Sequence, residues 1–233
     1  MKFETHVKEI IYRTYNVTSF RFSRPSKLDY LPGQFFFITI KGSGKELKKH
    51  FSFSSSPLEQ NYIEFTKKLS NSDFSGILKK LVIDDWARIE APFGKFTFIG
   101  ENKKIALLAG GIGITPFRSI CKYCTDKHLK TKITLIYGNR TEEDIVFRED
   151  FEKMQKQNKN LNCVFMINEG NDNWKGLTGF INAEMIKKEI PDYKNTIFFL
   201  CGPPGMVKAL EGIINQLGIL ANQIRVEYFT GYI

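Results

Sequence analysis

Residues 105–116 read Ile105-Ala106-Leu107-Leu108-Ala109-Gly110-Gly111-Ile112-Gly113-Ile114-Thr115-Pro116. A short apolar run that ends in glycines is a buried strand making a sharp turn, and Thr115 followed by Pro116 marks a helix start. Threonine can cap the helix, and proline suits its first turn, where no N–H is needed. Gly110, Gly111 and Gly113 remove side chains where a ligand would approach the backbone, and a helix N-terminus favours a phosphate. The stretch is not the G-x-G-x-x-G fingerprint, because Pro116 stands where the third glycine belongs. Taken alone it also fits a tight strand-to-helix corner.

Downstream, four more apolar segments follow: Ile133–Tyr137, Cys163–Ile167, Ile197–Cys201 and Ile224–Phe229. Helical patterns fall near 116–127, 147–158, 182–190 and 204–217. Strand–helix alternation predicts a doubly wound, five-stranded parallel sheet covered on both faces. A second glycine turn, Cys201-Gly202-Pro203-Pro204-Gly205-Met206, follows the fourth strand. In the order 3-2-1-4-5, strands one and four are neighbours, so both turns meet at the switch point where ligands bind. Arg140, after the second strand, is placed to meet a phosphate, but Glu142, Glu143 and Asp144 follow closely and oppose one.

Upstream the texture differs. His6–Tyr12, Ser19–Ser23, Gln34–Ile40, Tyr62–Thr66, Ala87–Glu90 and Lys95–Phe98 read as short strands punctuated by Gly and Pro, which predicts an antiparallel barrel. One helix interrupts them, with Ser72 as its cap and Phe74, Ile77, Leu78 and Leu81 at helical spacing. Gly100–Lys103 is a short linker, giving domains 1–99 and 100–233.

Composition limits the function classes. The 233 residues carry 34 Lys+Arg against 25 Asp+Glu, a net +9, of which +6 falls on residues 1–99. Such a basic half suits nucleic acid, anionic lipid, a phosphorylated ligand or an acidic protein. No apolar run reaches the roughly 18 residues of a membrane helix, and no signal-peptide core opens the chain, so a cytoplasmic location is expected. Cys121 and Cys124 form a C-x-x-C, but no second pair completes a zinc site and the motif falls inside a helix, so both are read as core. The three histidines, His6, His50 and His128, are isolated, and no metal site is expected.

With both turns behind a barrel, the chain resembles the ferredoxin–NADP⁺ reductase family of flavoproteins over essentially its whole length. Lys49-His50-Phe51-Ser52-Phe53-Ser54-Ser55-Ser56-Pro57 matches the family's Arg-x-Tyr-Ser motif, with Lys49 for Arg and Phe51 for Tyr. Phe74-Ser75-Gly76-Ile77-Leu78 fits its second barrel motif, and Pro92-Phe93-Gly94-Lys95-Phe96 the stretch before the junction. Gly110–Pro116 and Cys201–Met206 match its nucleotide motifs, and Val226-Glu227-Tyr228-Phe229 its acidic–aromatic ending.

The resemblance implies an FAD (or FMN) barrel, an NAD(P)H domain and hydride transfer to flavin N5. It implies that Lys49, Phe51, Ser52 and Phe53 hold the flavin, with Ser52 beside N5. Phe74, Ser75 and Gly76 would offer N–H groups to its phosphates, and Thr66 and Lys67 would face the isoalloxazine. Cys201 would line the nicotinamide site, Glu227 would orient groups or relay a proton, and Phe229 would stack on the flavin. Gly110, Gly111, Gly113, Thr115, Pro116, Gly202, Pro203 and Met206 would hold the coenzyme. Lys49 still neutralises a phosphate, but without arginine's bidentate fork. The tail Thr230-Gly231-Tyr232-Ile233 either packs near the flavin or caps the domain. With no cysteine cluster for an iron–sulfur centre, electrons are expected to leave to a separate acceptor such as a ferredoxin, an acidic carrier protein. The alternatives are a reductase of free flavin and an electron-transfer subunit of a larger complex; no nucleic-acid-binding motif is found.

Overall fold

The computed structural model describes residues 1–42, 44–170 and 173–230. Six strands come first: β1 (Lys2–Tyr12), β2 (Val17–Ser23), β3 (Phe35–Gly42), β4 (Lys45–Ser52), β5 (Tyr62–Lys68) and β6 (Trp86–Phe93). They form one sheet in the order β4-β3-β6-β1-β2-β5, and every pairing is antiparallel. Register shifts at Val7/Glu9 and Phe35/Phe37 are the bulges that curl such a sheet. The curl brings the two edges together, where the Ser54 N–H beyond β4 donates to the Glu64 carbonyl on β5 at 2.9 Å. Alternation turns Phe20, Phe22, Phe36, Phe65 and Ile38 into a shared interior. Helix α1 (Asp73–Leu78) is capped by Ser72, as its sequence predicts.

Two strand assignments differ from the sequence reading. β4 is a strand although Lys45, Glu46, Lys48, Lys49 and His50 give it little apolar alternation. It is an edge strand, and charges on an edge protect it from further pairing. Lys95–Phe98 is not a strand. It alternates because Phe96 and Phe98 insert into the core of the second half, against Phe117 and Phe199.

The second sheet contains β7 (Lys104–Gly110), β8 (Lys132–Asn139), β9 (Leu161–Ile167), β10 (Leu177–Thr178), β11 (Ile197–Gly202) and β12 (Ile224–Tyr228), in the order β10-β9-β8-β7-β11-β12. All pairings are parallel. The expected five-strand order is present, with the two-residue β10 added at one edge. Helices α2 (Thr115–Asp126) and α3 (Arg148–Gln157) cover one face, and α4 (Ala183–Glu189) and α5 (Pro204–Gln216) the other. No helix among the described residues is long and apolar enough to cross a membrane.

The halves are locked by α2. Arg118, 5% exposed, donates to the Ser54 carbonyl at 2.7 Å, to Glu59 at 2.9 Å and to Asp150 at 2.7 Å. Ser119 donates to the Ser55 carbonyl at 2.7 Å. Arg225 reaches back to the Thr97 carbonyl and Glu101, and the Tyr15 hydroxyl binds Asp144 at 2.9 Å.

Candidate active site

Where the halves meet, a cavity of about 630 Å³ opens at the end of β4. Ser52 and Phe51 line it from β4, Thr66 and Lys67 from β5, and Phe74 from α1, while Thr115, Glu227 and Phe229 close it from the other half. Phe51 rests one face on Phe65, centroids 4.5 Å apart, and leans on Phe74. Lys67 is 8% exposed; burial, with the like charge of Lys49 added, pushes its ammonium down to about 8. Thr66 is buried, its hydroxyl bonded to Ser19 and Ser54.

At the back of the cavity, three parallel strands end side by side, with Ala109, Cys201 and Glu227 in register. Glu227 Oε2 is buried without a hydrogen-bond partner, and burial raises its carboxyl to about 7. Cys201 is fully buried in the core rather than exposed on the wall. Its thiol is pushed well up by burial first and by the Glu227 charge second, so it is no thiolate nucleophile. Phe229 is held by its N–H to the Gly202 carbonyl at 2.9 Å. Thr230 lines the same cavity, while the remainder of the tail lies outside the described residues.

Several residues predicted for the flavin stand elsewhere. Phe53 is fully buried, stacked on Tyr30 at 3.9 Å and packed on Phe36, because alternation beyond Ser52 turns it into the barrel core. Ser75 and Gly76 do not offer free N–H groups: Ser75 N–H donates to the Ser72 hydroxyl and Gly76 N–H to the Ser72 carbonyl. The Ser75 hydroxyl, fully buried, accepts from the Ser70 N–H. In their place Ser70, Ser72, Lys48, His50 and Phe37 line the cavity. Sequence reading missed Lys48 and His50 because their part in the wall depends on β4 being a strand.

A second cavity, about 620 Å³, lies over the carboxyl ends of the parallel strands. Gly110, Gly111, Pro203, Met206 and Arg140 line it, joined by Asn139, Asp144, Asn168 and Phe180, and by Val17 and Lys68 from the barrel. The two glycine turns touch: a Cβ on Gly202 would stand 3.2 Å from the Gly110 carbonyl oxygen, and one on Gly113 only 2.5 Å from that of Cys201. Gly113 is therefore needed for turn-to-turn packing rather than for the wall. The helical path starts earlier than expected. Gly111–Ile114 is a 3₁₀ turn, and Ile114 precedes α2 without a side-chain cap. Thr115 does not cap the helix; it is the first α-helical residue, donating back to the Ile112 carbonyl and facing the flavin-side cavity. Pro116 is buried behind it. Arg140 is exposed and pairs with Glu169 at 2.8 Å, not with the nearer acids in sequence.

Cys121 and Cys124 are buried core residues of α2, as predicted. Burial raises both thiols, that of Cys124 to about 12. No cluster of metal-ligating side chains exists among the described residues.

The first cavity fits a flavin and its phosphates: an aromatic wall, hydroxyls at Ser52 and Ser72, the ammonium groups of Lys49 and Lys67, and an orphaned carboxyl oxygen. Residues 3–98 match the oxidoreductase FAD-binding domain and residues 107–212 the oxidoreductase NAD-binding domain. The NADH-cytochrome b5 reductase 1 of Dictyostelium discoideum is 30% identical over 230 residues, covering 96% of this chain and 80% of that protein. Its counterpart in Aspergillus terreus is 33% identical over 219 residues, 88% of this chain and 74% of that protein. The cytochrome b5 reductase domain of Ulva prolifera nitrate reductase superposes with a TM-score of 0.85 at 24% identity, covering 97% of each chain. The flavohem-like FAD/NAD-binding domain of Vibrio cholerae nitric oxide dioxygenase gives 0.87 at 21% identity, covering 97% of this chain and 98% of that one, so both share the fold. With both domain matches in order and relatives of this identity along nearly its full length, the chain belongs to the ferredoxin–NADP⁺ reductase family as an FAD- and NAD-binding oxidoreductase.

Proposed function

We propose that this protein takes a hydride from NADH and delivers electrons singly to a small acidic carrier of the cytochrome b5 kind rather than to a ferredoxin. The observation that carries the reading is that one continuous stretch of chain lines both cavities. Gly111 lines the coenzyme side, and Thr115, four residues on, lines the flavin side. The relatives are named NADH-cytochrome b5 reductases, which supports the choice of acceptor.

When bound, FAD supplies the conversion of a two-electron hydride into single electrons. The protein supplies binding and orientation. Residues 1–99 would hold the flavin, with Lys49 at its phosphates, Lys67 towards the isoalloxazine and Ser52 beside the reacting edge. Residues 100–233 hold the coenzyme. Glu227, raised to about 7 by burial, holds or releases a proton near neutral pH. Phe229, in the wall of the same cavity, would cover the flavin ring and would have to yield to the nicotinamide. NADH is favoured over NADPH because Glu169 neutralises Arg140 and Asp144 lines the cavity, so a 2′-phosphate would meet carboxylates. The exposed lysines of β4 not used for phosphate, Lys45 and Lys48, offer an acidic carrier an electrostatic landing.

The purified protein should be yellow, bleach anaerobically with NADH faster than with NADPH, and reduce cytochrome b5 at a rate that falls with salt. Reduction of ferredoxin but not cytochrome b5, or rates independent of ionic strength, would remove the acceptor assignment. A second reading, reduction of free flavin, draws on Lys49, Phe51 and the inward-turned N–H groups of Ser75 and Gly76, which weaken the grip on phosphate. Loss of flavin on gel filtration, with activity restored by excess flavin, would favour it.

A further inference from the structure

Behind the flavin-side cavity, a buried ring of polar side chains joins β2, β5 and the segment after β4. Arg13 Nε donates to the Ser19 hydroxyl at 2.8 Å. Ser19 and Thr66 stand opposite each other on β2 and β5, with their hydroxyls 2.6 Å apart. Those of Thr66 and Ser54 are 2.9 Å apart, and Ser54 donates to Glu64 Oε1 at 2.7 Å. Arg13 Nη2 closes the ring by donating to Glu64 Oε2 at 3.1 Å. Ser19, Ser54 and Glu64 are fully buried, and Thr66 nearly so.

A hydroxyl can donate in either direction, but a guanidinium only donates and a carboxylate only accepts. Glu64 is paired with Arg13 and also with Arg21, at 2.8 Å. Each hydroxyl has one proton. That of Ser54 goes to Glu64, so Ser54 accepts from Thr66. Thr66 then has no proton left for Ser19, so Ser19 donates to Thr66 and accepts from Arg13. Every bond runs the same way round, and each hydroxyl gives once and receives once. Ser54 is fixed in its place: its N–H donates to the Glu64 carbonyl at 2.9 Å, and its carbonyl accepts from Arg118 at 2.7 Å.

Of the three hydroxyl-bearing residues, Thr66 alone stands in the cavity wall. Its proton is committed to Ser54, so at this point the wall offers the cavity no donor. A donor beside a flavin ring would stabilise the negative charge that reduction brings and raise the reduction potential.

We infer that Ser54 is a positioning residue that, directed by Glu64, withholds the Thr66 proton from the flavin and so keeps the flavin potential low, an inference that rests on the flavin reading of this cavity. The test uses the full chain loaded with FAD, as wild type, Ser54→Ala, Ser19→Ala, Thr66→Val and the Ser54→Ala/Thr66→Val double variant. The flavin potential is read by equilibration against a reference dye. Ser54→Ala strands the Thr66 proton, which turns to the cavity. The ratio of reduced to oxidised flavin should then rise about tenfold, as for one hydrogen bond to a charged group, or about 30 mV for a two-electron couple. Ser19→Ala opens the ring on the other side of Thr66 and leaves that proton on Ser54, so the potential should stay at the wild-type value. The double variant should return to that value, because the stranded proton is gone. If Ser54→Ala does not fold, Ser54→Cys replaces it, since a thiol is a weak acceptor. A general disturbance of the wall would move both serine variants alike and persist in the double variant, and either result overturns the inference. So does an unchanged potential in Ser54→Ala or a shifted one in Thr66→Val. Failure of the wild type itself to bind FAD would instead strike at the flavin reading.

Discussion

Replacing Glu227 by glutamine should make the flavin-free protein less sensitive to pH, and the size of the effect follows from burial. The carboxyl is raised from 4.5 to about 7, with desolvation as the cause. Below pH 4.5 it is neutral in both folded and unfolded chains, so it contributes no pH dependence there. As pH rises, the unfolded chain ionises first and holds fewer protons than the folded one, so folding loses stability. The loss is complete above the folded value and amounts to about 3 kcal/mol, at 1.36 kcal/mol per pKa unit. For a chain of this size that is a fall of roughly 6–12 °C in melting temperature. Glu227→Gln cannot ionise and escapes the loss. The measurement is the melting temperature of flavin-free wild type minus that of the variant, from pH 4.5 to 7.5. This difference should shift against the wild type by the stated amount. A difference that stays flat across the range refutes the argument, because Glu227 would then be solvated or paired in the fold.

Other perturbations test the rest of the site. Arg118→Met should destabilise the protein by about 3–5 kcal/mol in denaturant titrations, since it strands Glu59 and Asp150 at the junction. Burial pushes the Glu59 carboxyl up, but Arg118 more than offsets this and holds it down at about 2; that stabilisation is present above the ordinary value of 4.5 and is lost as pH falls towards 2. Lys67→Met should weaken FAD binding about tenfold by fluorescence titration, and in the wild type the affinity should fall as pH rises through about 8, where Lys67 loses its charge. Gly113→Ala should cost both stability and NADH binding, because the new Cβ would lie 2.5 Å from the Cys201 carbonyl oxygen. Gly205→Ala, on α5 with nothing within 4 Å of its Cβ, should raise the melting temperature slightly, as expected of glycine to alanine in a helix.

Much of this architecture is legible in the chain because period and punctuation agree. The apolar runs ending at Ala109, Tyr137 and Cys201 are strands buried on both faces for most of their length, which need no partner information to be recognised. What the sequence hides is long-range. β4 shows no pattern because an edge strand of lysines is shaped by what it must avoid. Lys95–Phe98 shows a strand pattern because its two phenylalanines serve the neighbouring half's core. At the site, short motifs locate the walls but not which side chain faces in. Phe53 follows Ser52 and turns away, Cys201 lies behind the wall, and Ser75 caps its own loop.

The junction explains how two separate cavities act as one site. Transfer of a hydride needs two ring systems held at a fixed separation, and small displacements are costly. Here the separation is set by a single continuous element. The 3₁₀ turn that begins with Gly111 at the coenzyme cavity runs directly into α2, whose first residue, Thr115, faces the flavin cavity. One turn later Arg118 and Ser119 clamp the carbonyls of Ser54 and Ser55, two and three residues beyond Ser52. The same helix thus connects one cavity to the strand end that lines the other, with no loop between them. Val17 and Lys68 of the barrel complete the coenzyme wall, so a hinge between the halves would open that cavity. The geometry favours a rigid joint between the halves.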